Sequence, residues 1–378
     1  MGSSLYLTLL AGPVEAVPAP KPVIDALMSV EITVSATGRS GFHLDFTIAD
    51  RSPLQTLFLL SAGAPVPVLR VILMASLGGL PQVLMDGVIK HHEVVPSATQ
   101  GNSTLRVIGE DISAVLDLID LSGVPYPGMS ADLRVTAILG RYAMFGLIPE
   151  VIPSLDVDVP NPMEHIPTQK GTDFAYINDL AKENGYVFYI EPGPLPGASQ
   201  AYWGPQVKVG LPQPSLNVNL DTWTNVESLN FRYNPEKAVM PMVYIQEPIS
   251  KTTIPIPIPP VTPLNPPLGA ITPLPQRVEP LNDTAKSSPG QALMKGMARA
   301  SESADVVSGE GTLDVLRYGR VLKARQLVAV RGAGPAYDGL HYVQSTTHRI
   351  KRGEYKQSFT LTRNGLISSL PLVPTLPF

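Results

Sequence analysis

The 378-residue chain contains no cysteine, which excludes disulfides, thiolate zinc sites and cysteine nucleophiles together. Charge is sparse at 16% of residues, and a net charge of −4 gives no general reason to expect nucleic acid or an anionic membrane as a partner. Aromatics make up only 6%, with tryptophan at positions 203 and 223 alone, leaving little material for an exposed sugar-stacking platform. Long hydrophobic runs are missing too. The most apolar stretch, VLRVILMASLGGLPQVLM, is interrupted by Arg70, Gly78, Gly79 and Pro81, so it falls short of the ~20 apolar residues of a membrane-spanning helix. The opening MGSSLYLTLLAGPVEAVPAPKP has no basic residue before Lys21 and does not read as a secretory signal. A soluble protein assembled in the cytoplasm is the expectation.

Proline is abundant. Forty prolines are roughly twice the ~5% of average usage, and with 31 glycines they point to short strands joined by many turns. Hydrophobic residues at 44% are far from the composition of a disordered chain. In SVEITVSATGRSGFHLDFTIAD, Val30, Ile32 and Val34 alternate with polar neighbours, and so do Phe42, Leu44, Phe46 and Ile48 beyond the turn-like TGRSG. That period of two predicts a hairpin with one buried face. VLRVILMASL, PQVLMDGVIKHHEVV and STLRVIGED follow at the spacing of a small barrel or sandwich.

The period then changes. Ile112, Val115, Leu116 and Ile119 fall at helical spacing, and ADLRVTAILGRYAMFG repeats the pattern with Gly140 or Gly146 as a stop. PEVIPSLDVDVPNPMEHIP is expected to be extended and exposed. In DFAYINDLAKENGYVFYIEP, Thr172 can cap a helix whose stripe is Phe174, Ile177, Leu180 and Ala181; Asn184-Gly185 supplies a left-handed stop, and Tyr186 to Ile190 reads as a strand covered on both faces. Strand signals resume in QVKVGL and in WTNVESLNFRYNPEKAVMPMVYIQEP. Eleven prolines between Pro248 and Pro280 then exclude the interior of a sheet and predict an extended, polyproline-like excursion, an insertion or a strap across a neighbouring subunit in preference to a proline-rich ligand for a recognition domain. A short helix in SPGQALMKGMARASESA leads to closing strands that turn at Lys351-Arg352-Gly353-Glu354.

Catalytic vocabulary is thin. His91 and His92 are adjacent, so on a strand they face opposite ways, and no third metal ligand is suitably spaced. His43, His165, His341 and His348 are scattered. GAGPAYDG lacks the helix that a dinucleotide fingerprint requires, and GMSAD has Asp132 where a nucleophile elbow needs glycine. The carboxylate pairs Asp156 with Asp158 and Glu110 with Asp111 read as solvated or capping groups. No catalytic, cofactor-binding or metal residue is assigned, and no cofactor is expected. Between Arg317 and Arg363 ten bases face two acids, Asp338 and Glu354, so this section carries +8 and the rest −12. Such a section is either a docking face for an acidic partner or a set of bases on the outer faces of strands.

Three stretches together resemble the phage late control protein D or tail-hub family, found in contractile-tailed phages, in contractile injection systems and in the N-terminal hub part of type VI secretion spikes. They are DGVIKHHEV with STLRVIGEDISAVLDL, then FAYINDLAKENGYVFYIEP, then DGLHYVQSTTHRIKRGEYKQSFTLTRNGL. The resemblance implies an α+β, mainly β fold: two small barrel-like β-domains, at 1–108 and 201–378, flanking an α/β portion at 109–200, with a long proline-rich loop at 248–280. It also implies a non-enzymatic homotrimer that adapts a hexameric inner tube to a trimeric spike in a phage tail or injection particle. Its partners would be the inner tube protein, a separate spike protein and other baseplate components. It implies no small-molecule substrate and no stable nucleic-acid or membrane binding. A carbohydrate- or peptide-binding module and a carboxylate-dependent cell-wall hydrolase are the alternatives.

Overall fold

The computed structural model describes residues 5–48, 68–96, 103–154, 163, 166–246, 252–260, 265–281, 284 and 287–369. The fold is α+β and mainly β: of the described residues 49% are in strands and 20% in helices. The first section supplies β1 (Leu5–Gly12), β2 (Val17–Pro18), helix α1 (Lys21–Ala26), β3 (Leu27–Ser35), β4 (Gly41–Ile48), β5 (Arg70–Leu77), β6 (Leu80–Val95) and β7 (Ser103–Asp111). Hydrogen bonding runs β3-β4-β7-β6-β5-β1-β2. The alternation read from the sequence holds: Val30, Ile32, Phe42, Leu44, Phe46 and Ile48 are all buried in one cluster.

A short 3-10 helix (Ile112–Asp117) then opens the α/β portion, capped by the Asp111 carboxylate on the Ser113 amide. The stripe expected to reach Ile119 stops early, and Ile119 is exposed. Asp117 is held by Arg39 and Thr172, while Asp120 turns the chain by accepting from Ser122. Helix α2 (Ala131–Gly140) and a 3-10 turn ending at left-handed Gly146 lead into β8 (Leu147–Val151). The first part of the proline-studded connection is therefore a strand; its continuation at 155–162 lies outside the described residues.

Helix α3 (Asp173–Glu183) has the Thr172 hydroxyl accepting from the Ala175 amide, as read from the sequence. Ile177, Leu180 and Ala181 are buried under β9 (Val187–Pro192), and Phe174 meets Phe188 edge-on. Gly185 stops the helix at φ +64°, and a β-carbon there would lie 2.4 Å from the Met294 carbonyl; both the turn and the close approach require glycine. Strand β9 is fully buried only on its Phe188 and Ile190 side. It pairs with β10 (Ser199–Gly204), which pairs with β8. The expected strand at QVKVGL is absent: Lys208 there is buried and bonded to Asp305, 2.6 Å away. Burying that charge requires its partner, and the chain follows the ion pair.

The last section comprises β11 (Gln213–Asn217), β12 (Val226–Tyr233), β13 (Val239–Gln246), β14 (Thr253–Pro257), β15 (Gly269–Ile271), β16 (Arg277–Leu281), helix α4 (Pro289–Ser303), β17 (Val307–Asp314), helix α5 (Val315–Tyr318), β18 (Leu327–Arg331), β19 (Gly339–Lys351), β20 (Glu354–Arg363) and β21 (Leu366–Ser368). The proline-rich stretch is not a free polyproline excursion. It places β14 and β16 on the two edges of β13, and β15 against β21. The physical reason lies in IPIPIPP itself. Because the Ile258 amide donates to the Pro241 carbonyl, the isoleucine amides on the same phase face β13, and the missing donors of Pro255 and Pro257 fall on the outer edge.

Both ends of the chain share one sheet. Strand β19 pairs with β3 over Ser345–Lys351 against Ser35–Ser29, giving the thirteen-stranded order β12-β17-β20-β19-β3-β4-β7-β6-β5-β1-β2, with β11 and β18 alongside. Among the described residues no closed barrel forms. Closure of the first section would need β1 on the edge of β3, and that edge is taken by β19.

Candidate assembly surface

Alternation gives the large sheet two chemically different faces. Residues such as Ile32, Phe359 and Leu361 point into the core, while the opposite face carries rows of hydroxyls. In register across five strands, Ser228 lies opposite Thr312, Thr312 opposite Ser358, Ser358 opposite Thr347, and Thr347 opposite Thr33. Two residues along, Asn230, Glu310, Thr360, Ser345 and Ser35 form the next row. Neighbours bond laterally: the Ser228 and Thr312 hydroxyls are 2.8 Å apart and those of Thr33 and Thr347 3.1 Å. A shallow groove of about 320 Å³ runs over this surface.

Charge appears at the end of the rows, where two adjacent bases are each paired with an acid. Lys356 meets Glu227 at 3.0 Å and Arg349 meets Glu31 at 3.1 Å. Such a face has little net charge, and its rows contain no large apolar side chain. It suits contact with water rather than burial against a hydrophobic partner.

The basic section divides. Arg363 is fully buried and donates to the carbonyls of Ala336 at 2.5 Å, Gly365 at 2.6 Å and Asp338 at 2.9 Å; burial pulls its pKa down to about 10. Arg325 lies over the Tyr189 ring, 4.0 Å from its centre, and donates to the Ser35 carbonyl at 2.6 Å. Arg349 and Lys356 are paired as above. Arg317, Arg320, Lys323, Lys351 and Arg352 remain exposed. The continuous basic face considered from the sequence is thus reduced to these bases around α5 and the β19–β20 turn.

The histidines do not converge. His91 and His92 are exposed on β6 and His43 on β4, while His341 and His348 are buried; His165, Asp156 and Asp158 lie outside the described residues. His348 Nδ1 receives the Tyr355 hydroxyl at 2.7 Å and the Gln357 amide at 3.4 Å, which makes Nδ1 the acceptor and leaves the proton on Nε2. Burial lowers its pKa to about 4, and that of His341 to about 3. Asp111 is a cap, bonded to the Ser40 and Ser113 amides, and Glu110 pairs with Arg39. GAGPAYDG is a turn, held by the Asp338 carboxylate on the Ala333 amide. Among the described residues no cluster of three metal-ligating side chains occurs, and no helix is long and apolar enough to cross a membrane. Trp203 is buried against Tyr186 and cannot belong to an exposed aromatic platform; Trp223 is exposed.

Two buried polar clusters went unread in the sequence. Arg70 on β5 forms a two-pronged pair with Asp86 on β6, Nε to Oδ1 at 2.8 Å and Nη2 to Oδ2 at 2.6 Å. The same Nη2 donates to the Gly197 carbonyl, and the Ser199 hydroxyl donates to Asp86. This pair therefore ties the large sheet to the α/β portion. Asp173, also buried, accepts from Arg141 at 2.9 Å, Tyr142 at 2.7 Å and Gln169 at 2.7 Å. The available signal was a lone charge inside an apolar run, VLRVIL and VLMDGV, since a charge is retained there only when paired and hydrogen-bonded.

A scan against protein-family models gives no match, and a search of curated protein sequences gives none. Solved structures do match. A tail protein from Neisseria meningitidis MC58 aligns with TM-score 0.60 and 12% identity over 96% of this chain and 98% of its own. The 43 kDa tail protein of prophage MuSo2 from Shewanella oneidensis gives TM-score 0.60 and 15% identity over 96% and 99%. In the Francisella PdpA-VgrG complex, half-lidded, the likeness is TM-score 0.61 and 9% identity over 99% of this chain and 60% of that chain. The chain therefore shares its fold with these tail proteins and with the matched chain of the PdpA-VgrG complex.

Proposed function

We propose that the chain is a structural hub protein of a phage tail or contractile injection apparatus, with no enzymatic role. The near end-to-end likeness to tail proteins supports a structural part in a tail. In the reading that follows, three copies form a ring at the centre of the baseplate, each contributing the β-rich sections 1–108 and 201–378 around the α/β portion 109–200. Six similar sections around a threefold axis would match a hexameric inner tube on one side and a trimeric spike on the other. The inner tube, a separate spike protein and other baseplate components are the partners, met during assembly in the cytoplasm.

The observation that carries this reading is the pairing of β3 with β19 under a continuous hydroxyl face. It makes the two ends of the chain one wall. In a ring that wall borders a water-filled passage, where hydroxyls stay solvated and offer no apolar hold to what moves past. Averaged electron-microscope images of the purified protein, alone and with the inner tube protein, provide the test. Rings with three large repeats are expected, and single asymmetric particles in both samples would refute it.

A further inference from the structure

Natural strands that end a sheet are guarded against adding a stranger, by proline, charge or shortness. This chain guards its edges consistently. Among the described edge strands longer than three residues, β8, β9, β11, β14 and β16 each contain a proline, and β12 contains Glu227 and Arg232. The first half of β1 is the exception. Leu5-Tyr6-Leu7-Thr8 has no proline, no charge and no bulge.

Among the described residues no strand pairs with that edge on the side away from β5 before Leu10. Strand β2 reaches only Leu10 and Ala11. The Leu9 carbonyl accepts from the Ala19 amide, 2.9 Å away, on the side opposite β5, and this fixes the phase: the N–H and C=O of Leu5 and Leu7 face the same open side. Among the described residues they have no backbone partner. Beyond them lies a slot of about 510 Å³ lined by Leu5, Leu7, Ile24, Met28, Leu316 and Ile350. It is the gap left because β19 occupies the edge of β3. Lys351 and Arg352 line it too, against one acid, Asp25. Arg352 donates to the Asp25 carbonyl, and neither base has an ion pair among the described residues.

An open ladder, an apolar trough and a basic rim specify an extended segment with apolar residues at every second position and acids between them. The chain's own sequence contains one: Leu155-Asp156-Val157-Asp158-Val159, outside the described residues. We propose that residues 155–159 of a second copy add to β1 as a strand, with Leu155, Val157 and Val159 toward the trough and the two aspartates drawn to Lys351 and Arg352. The inference rests on the trimer reading. It deepens that reading by naming a head-to-tail contact in which each copy gives a segment and receives one, as a cyclic assembly requires.

The absence of native cysteine makes a clean test. Chains carrying Leu7→Cys are mixed with chains carrying one of Asp156→Cys, Val157→Cys or Asp158→Cys, then oxidised and run on denaturing gels, with oligomeric state measured in parallel by light scattering. A cross-link between the two different chains is expected for at least one pairing. Lys351→Glu with Arg352→Glu should lower its yield by about fivefold or more, and Asp156→Lys with Asp158→Lys in the donor chain should restore it. A trimer with no cross-link in any pairing overturns this contact and leaves the hub reading standing. A cross-link confined within a chain carrying both cysteines, with none between chains, also overturns it. A protein that is monomeric with and without spike removes the hub reading instead; the slot is then probed with a synthetic peptide of residues 154–160, whose failure to protect the Leu5 and Leu7 amides from hydrogen exchange overturns the contact independently.

Discussion

Two places hold blocks of this molecule together, and they do so differently. At the α3–β9 joint the partners are neighbours in sequence, and apolar side chains fix them: Ile177, Leu180 and Ala181 against Phe188 and Ile190. At the β3–β19 seam the partners come from opposite ends of the chain, and a backbone ladder fixes them, with Ile32 opposite His348 and Val30 opposite Ile350. The joint can form early from local contacts, whereas the seam must await long-range closure. The seam, which holds the buried His348, should lose stability in acid.

The sharpest break is Leu180→Asp at the joint. Leu180 is 2% exposed, and an unpaired carboxylate there should cost more than about 4 kcal/mol and abolish folding and, with it, the proposed trimer assembly. Circular dichroism and light scattering would check it; a soluble trimeric variant would show the helix to be misplaced. Asp86→Ala should follow, at roughly 3–5 kcal/mol, because it strands the buried Arg70 guanidinium. Replacing both partners by Met and Leu should recover most of the loss in denaturant midpoint.

At the seam, Ile32→Ala should cost about 2–5 kcal/mol, as Ile32 is fully buried. Acid attacks the same place. A histidine whose folded pKa lies below its unfolded value contributes fully above the unfolded pKa and loses that contribution as pH falls. For His348, between about 6.5 unfolded and about 4 folded, stability should drop by about 1 kcal/mol on going from neutral to pH 5.5. His341 acts with the same sign. Thermal unfolding of His348→Leu across this range should therefore be flatter than wild type but not flat. The smallest effect is on the hydroxyl face: Thr33→Ala should change stability by less than about 0.5 kcal/mol, a value that would rise if the face were buried in an interface.

The difference between joint and seam also explains what could be read from the sequence. The alternation from Val30 to Ile48, the Thr172 cap and the Asn184-Gly185 stop are local and appear where expected, whereas the helical stripe to Ile119 and the strand at QVKVGL do not. The seam is not local. Nothing in SVEITVS names THRIK as its partner, so the chain could be read only as two separate β-sections, and the missing barrel closure follows from that one pairing. IPIPIPP was misread because proline's missing donor was counted without asking which edge it would face. For the surface, alternation showed that Thr33 points outward, but cross-strand register was needed to see it as part of a row.

The hub reading depends most directly on the number of chains in the particle. Size-exclusion chromatography with light scattering, on the protein alone and with the proposed spike partner, should give about three times the 40.5 kDa chain mass in at least one of the two samples. A single-chain mass in both would contradict it.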